Sequence, residues 1–81
     1  MKKDVLLQRI RAGAKKNIRF ADFTKLVEAH GFIFAGQVGS HRGYKHSCGA
    51  VLNLQKKDGE AKHYQINQFL KIVDDYGLTM E

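Results

Sequence analysis

Three segments of the chain place apolar residues at the spacing of one helical face. They cover residues 4–11, 20–30 and 62–76. The second segment has the regular i, i+3, i+4, i+7 pattern, formed by Phe23, Leu26, Val27 and His30. Gly31 and Gly77 follow the second and third segments, where helices commonly end in a left-handed residue. The pattern therefore predicts three helices, the last two strongly amphipathic.

Between the last two helices the chain changes to short runs rich in aromatic and β-branched residues. These runs predict strands over 32–35, 41–46 and 50–55, separated by turns at 37–40 and 47–49. Such short connections favour an antiparallel meander of three strands. The segment 56–60, which contains Asp58-Gly59, is predicted to be a polar loop.

This element order predicts an α+β fold, with helices packed on one face of a small three-stranded antiparallel sheet. Successive strand residues point to opposite faces, so one core residue fixes the orientation of its strand. Tyr44 is the best core candidate of the second strand, and Arg42 should share its side. The uncovered face would then carry His41, Gly43 and Lys45.

The charge balance points to a negatively charged partner or to nothing more than a soluble basic surface. The 81 residues include 14 Lys and Arg against 8 Asp and Glu, a net charge of +6. A chain this short forms one domain with a modest core, so any active site should be a shallow surface patch. Nucleic acid, an acidic protein and an anionic membrane all remain possible partners at this point.

The cysteine content and the hydropathy of the chain exclude further classes of protein. Cys48 is the only cysteine, which excludes an intrachain disulfide. Cys48 and His46 are too few ligands for a tetrahedral zinc site, so neither a metal nor a cofactor is expected. No apolar run reaches the length of a membrane span, and no signal peptide is evident, so a cytoplasmic location is expected.

The best candidate for a catalytic side chain is His41, which follows Gly39-Ser40 where the predicted turn meets the second strand. Imidazole is the side chain whose unperturbed pKa allows proton transfer near neutral pH. An ordinary exposed histidine at a strand end is the alternative for His41, and a snorkelling side chain at the sheet edge is the alternative for Arg42. His30, by contrast, is predicted to pack at the end of its helix rather than to act in catalysis.

Ordered short motifs give the chain a resemblance to one family. Residues 17–32 read N-I-R-F-x-D-F-x-x-L-V-x-x-x-G-F, and residues 39–44 read G-S-H-x-x-Y. Further along come N-L-Q at 53–55, Gly59, and A-K-x-Y-Q-I-x-Q at 61–68. In this order the motifs resemble the HicA-type toxins, the mRNA interferases of HicA–HicB toxin–antitoxin pairs. No single motif is specific, and the resemblance covers roughly residues 17–78.

The resemblance implies a fold similar to the double-stranded-RNA-binding domain, spanning residues 17–81, with residues 1–16 as an accessory helix and basic linker. It also implies a metal-independent endoribonuclease with one catalytic histidine, His41 in this chain. Two departures weaken the match: the segment before Asn17 is long, and His63 stands where many relatives are expected to have proline.

A hypothesis for function follows from the resemblance. His41 would act as general base or general acid on mRNA or other single-stranded RNA, and a HicB-type antitoxin would cover its sheet face. The residues expected to bind RNA are Gly39, Ser40, Arg42, Lys45 and Lys62. A non-catalytic RNA-binding module of the same fold is the main alternative, and an adaptor bound to an acidic protein is the third.

Overall fold

A computed structural model describes residues 1–81 and contains three helices and four strands. The elements are α1 (Lys3–Arg11), α2 (Phe20–Ala29), β1 (Ile33–Val38), β2 (His41–Lys45), β3 (Val51–Lys57), β4 (Glu60–Ala61) and α3 (His63–Tyr76). The strands form one antiparallel sheet in the order β1-β2-β3-β4. The α+β class and the predicted helices are confirmed, with helix ends shifted by only one residue.

The sheet has four strands, so the prediction of three strands followed by a polar loop was wrong. β3 continues to Lys57 and turns back into β4 through Asp58-Gly59. Both turn residues have positive φ, +53° for Asp58 and +80° for Gly59. Two successive positive φ values are the mark of a type I′ hairpin turn, which matches the right-handed twist of the flanking strands. A polar composition there encodes a tight turn, not a loop.

The first hairpin is also longer than predicted. β1 runs to Val38, where the sequence suggested a turn from Gln37 onward, and Val38 pairs with His41. Only Gly39 and Ser40 therefore connect β1 to β2. The pairing skips one residue between Phe34 and Gly36, which is a β-bulge. Gly36 has a φ of +122°, a conformation that favours glycine over any residue with a Cβ.

One hydrophobic core lies between the helices and a single face of the sheet. Tyr44 of β2 and Leu52 and Leu54 of β3 are fully buried on that face, while their strand neighbours point away from the helices. Leu6 and Ile10 of α1 belong to the same core. The boundary predicted at residue 16 thus does not separate two cores. No helix is long and apolar enough to cross a membrane.

Candidate active site

The turn between β1 and β2 places His41 at the rim of the open sheet face. Gly39 has a φ of +60°, as required at the first central position of a type II′ turn. The Gln37 side-chain amide donates a hydrogen bond to the Gly39 carbonyl at 2.9 Å and so holds the turn. His41 is exposed, and its imidazole makes no hydrogen bond or ion pair within the protein. The ring is therefore accessible to solvent and to any bound molecule on this face.

Gln55 of β3 joins two further polar groups beside this histidine. Gln55 is the direct partner of His41 in the β2–β3 pairing. Its Nε2 donates to the Ser40 hydroxyl at 2.9 Å, and its Oε1 accepts from Lys62 Nζ at 2.5 Å. Residues paired across a ladder point to the same face. Ser40, Gln55 and Lys62 thus form a hydrogen-bonded chain alongside His41.

A buried glutamine holds Gln55 in this position. Gln65, in the first turns of α3, is buried, and its Oε1 accepts a hydrogen bond from the Gln55 backbone N–H at 2.8 Å. That N–H lies on the β3 edge beyond the short β4 pairing, which involves only Lys56 and Lys57. Buried or edge backbone groups need such partners. The α3 helix is therefore linked directly to the strand position facing His41.

Two of the other residues predicted for this site lie elsewhere. Lys45 shares the open face with His41 but is four residues along β2, opposite Val51. At about 3.3 Å of rise per residue, that is roughly 13 Å away. Arg42 points to the helical side, as strand alternation predicted, so it lies on the opposite face of β2 from His41. Neither residue joins the Ser40–Gln55–Lys62 chain.

The Arg42 side chain is held against aromatic rings. Its guanidinium carbon lies 4.8 Å from the centroid of the Phe34 ring and 5.7 Å from that of Tyr44. Its Nε is buried and has no hydrogen-bond partner. Burial raises the pKa of the Tyr44 hydroxyl above its usual value, while the positive charge of Arg42 acts in the opposite direction.

Two other histidines are structural. His30 is buried, and its Nδ1 donates to the Leu26 carbonyl at 2.9 Å. His46 Nδ1 accepts from the Cys48 backbone N–H, which leaves Nε2 to donate to the His30 carbonyl, both at 2.9 Å. These contacts confirm that His30 packs at the end of its helix. No group of three or more His, Cys, Asp and Glu side chains is placed to hold a metal ion.

Sequence reasoning did not single out Gln55 as a site residue. Alternation along the predicted third strand places Gln55 on the face away from Leu54, and N-L-Q is among the motifs that carry the resemblance. The missing information was the register that sets Gln55 opposite His41. The five residues that connect Lys45 to Val51 set this register, and their composition alone does not specify how they turn.

The chain was compared with protein-family models, with curated proteins and with solved structures, and none of them matches.

Proposed function

We propose that this protein is an endoribonuclease of the HicA type, acting on single-stranded RNA through His41. The observation that supports the proposal best is the exposed His41 imidazole beside the Ser40–Gln55–Lys62 chain. This arrangement supplies a proton-transfer group, a cation and a hydroxyl on one open, shallow surface. Proton transfer accelerates the cleavage of a phosphodiester, and cations and hydrogen-bond donors stabilise the negative charge on its phosphate oxygens.

The proposed reaction is an internal transesterification of the RNA backbone. The ribose 2′-oxygen loses its proton and forms a bond to phosphorus, while the bond from phosphorus to the 5′-oxygen breaks and that oxygen gains a proton. The products are a 2′,3′-cyclic phosphate and a 5′-hydroxyl. His41 takes the 2′ proton as base or gives a proton to the 5′-oxygen as acid, and solvent water exchanges the other proton. Lys62 stabilises the charge on the phosphate oxygens.

Single-stranded RNA is the expected substrate because the attacking and leaving oxygens must lie in line with phosphorus. A regular duplex resists that geometry, whereas a flexible strand reaches it. Within residues 20–76 one helix, four antiparallel strands and a second helix follow one another, and three of the strands are longer than two residues. Apart from the short additional strand β4, this order supports a fold like that of the double-stranded-RNA-binding domain. We therefore propose the fold of that domain together with a single-stranded rather than a double-stranded RNA substrate.

A HicB-type antitoxin is the proposed protein partner, bound over the open sheet face. Three apolar side chains lie unusually exposed on this face: Ile33 at 72%, Val38 at 82% and Val51 at 58%. Exposed apolar side chains rimmed by polar residues are typical of surfaces that bind other proteins. A partner with an acidic surface would complement the net charge of +6.

The decisive experiment compares wild type and His41→Ala on a single-stranded RNA in the presence of EDTA. Wild type should cleave and leave cyclic phosphate ends, and the variant should lose at least about 100-fold in rate. Because His41 is exposed, the variant should keep its thermal stability and its affinity for RNA. Equal cleavage by both proteins would remove His41 from the mechanism.

The alternative functions give different outcomes in the same experiment. A non-catalytic RNA-binding module would bind RNA with an affinity that falls with salt, but would leave the strand intact. An adaptor protein would neither bind nor cleave RNA.

A further inference from the structure

A small cleft lies on the other side of the β1–β2 turn from His41. Its volume is about 130 Å³, and its lining residues are Phe20, Gln37, Ser40, Arg42 and Lys56. Phe20 is buried and forms an apolar wall, whereas the other four bring two cations, an amide and a hydroxyl. No carboxylate lines this cleft.

Arg42 and Lys56 have no acidic partner within the protein. Neither forms an ion pair, and both point to the helical side of the sheet. The Arg42 guanidinium is already fixed over Phe34 and Tyr44, so little side-chain freedom is lost when it binds an anion. Arg42 makes no side-chain hydrogen bond within the protein, and its Nε is buried without a partner, so no donor of the guanidinium is engaged elsewhere.

Ser40 belongs to both sites. Its hydroxyl accepts from Gln55 on the His41 side, and the same residue borders the cleft with Arg42 and Lys56. A strand that passes over the Gly39-Ser40 turn would therefore meet the active site on one face and the cleft on the other. The turn is two residues wide, so adjacent backbone units of one strand can span it.

A neighbouring groove borders the cleft and is lined by charges of both signs. It is larger, about 700 Å³, and adds Arg19 and Lys25 to Arg42 and Lys56. Three carboxylates also line it, those of Glu28, Asp58 and Glu60. Arg42 and Lys56 border both spaces, but only the small cleft has no carboxylate in its lining. Carboxylates repel a phosphate, so the anion should bind on the cleft side of these two cations.

We propose that Arg42 and Lys56 form a second phosphate subsite, which binds a backbone phosphate of RNA next to the phosphate attacked at His41. The identification of the ligand as RNA rests on the proposed function, whereas the anion-binding character of the cleft rests on its own residues. Arg42 would bind the phosphate through its planar fork, and Lys56 would add a mobile charge.

The test measures binding of a fluorescent 2′-O-methyl pentanucleotide, which lacks the attacking hydroxyl and stays intact. Lys56→Gln should weaken binding several-fold and should lower the slope of log affinity against log salt by about 0.7. Lys3→Gln removes the same charge from an exposed position on α1 and should have a much smaller effect. Arg42→Lys, which keeps the charge and loses the fork, should also weaken binding.

A second measurement uses substrate length. Lys56→Gln should slow the cleavage of a pentanucleotide but not that of a dinucleotide, which has no neighbouring phosphate to bind. Equal effects of Lys56→Gln and Lys3→Gln on binding, or equal losses on both substrates, would overturn the subsite even if wild type is a nuclease. Specific, Lys56-dependent binding by a wild type that does not cleave would refute the proposed function and leave the subsite standing.

Discussion

Gln55 and His41 are direct partners across the β2–β3 ladder, and the Gln55 amide holds Ser40 at one end and Lys62 at the other. The His41 imidazole, by contrast, is exposed and makes no hydrogen bond or ion pair within the protein. Gln55 therefore fixes the groups around His41 rather than the ring. This arrangement leaves the imidazole exposed, while the side chains that we propose to bind phosphate are held in place.

Replacement of Gln55 by alanine should slow RNA cleavage without unfolding the protein. The change removes two hydrogen bonds that orient Ser40 and Lys62, and one such bond is worth about 1 kcal/mol. We expect kcat to fall roughly tenfold, with a smaller change in KM, because the loss affects orientation more than binding. Single-turnover and steady-state kinetics in EDTA measure both.

Asn53→Ala is the matched control for that variant. Asn53 lies on the same strand and the same face, two residues before Gln55, opposite Gly43. It has no side-chain hydrogen bond, so its replacement should leave kcat unchanged. If Gln55→Ala cleaves RNA as fast as Asn53→Ala, the hydrogen-bonded chain has no role in catalysis.

The helices were predictable because their evidence is local. The apolar spacing around Phe23 and Phe69 and the glycines after both helices determine where α2 and α3 begin and end. The orientation of His41 was also predictable, since one buried tyrosine three residues away sets the alternation of the strand.

The features that could not be predicted from the sequence depend on how the strands pair with one another. β4 has only two residues, too few to produce a pattern of its own, and it exists because Asp58-Gly59 turns the chain back onto β3. The bulge before Gly36 and the position of Gln55 opposite His41 likewise follow from register. No local composition specifies a register until the turn lengths are known.

Tyr44→Phe should change how the stability of the protein depends on pH. Burial raises the pKa of Tyr44 in the folded state, so above about pH 10 the unfolded chain loses this proton first. The free energy of unfolding should therefore fall as pH rises from about 10 towards the folded pKa, by at most about 1.4 kcal/mol per pH unit. Phenylalanine at this position should remove that contribution, as measured by urea unfolding at several pH values.

Near neutral pH, Tyr44→Phe should lower the free energy of unfolding only slightly, because the buried Tyr44 hydroxyl has no hydrogen-bond partner to lose. Tyr76→Phe provides the control, since Tyr76 is 54% exposed and its replacement should leave the pH profile unchanged. Identical alkaline profiles for the two variants would contradict the assignment to Tyr44.

Gly31→Ala should destabilise the fold more than glycine conformation alone explains. Gly31 has a φ of +93°, and a Cβ there would lie 2.8 Å from His46 Nε2. The His46 ring cannot move aside without loss of its bonds to the His30 carbonyl and the Cys48 N–H. Gly13 has a similar φ of +99° with nothing near its Cβ position. We expect Gly31→Ala to lower the free energy of unfolding by about 1–2 kcal/mol more than Gly13→Ala, and equal losses would show that the ring yields freely.

Ile10→Ala should show whether the first helix is part of the domain. Ile10 is fully buried in the common core, so its truncation should lower the free energy of unfolding by about 2–5 kcal/mol. Val5 on the same helix is 42% exposed, and Val5→Ala should cost less than about 1 kcal/mol. Urea unfolding followed by circular dichroism measures both, and a single transition is expected because one core joins all three helices.

A chain lacking residues 1–16 should then be far less stable than the full protein. Equal stability of the two would show that α1 is an accessory, as the sequence had suggested, and that its contacts contribute nothing to the fold.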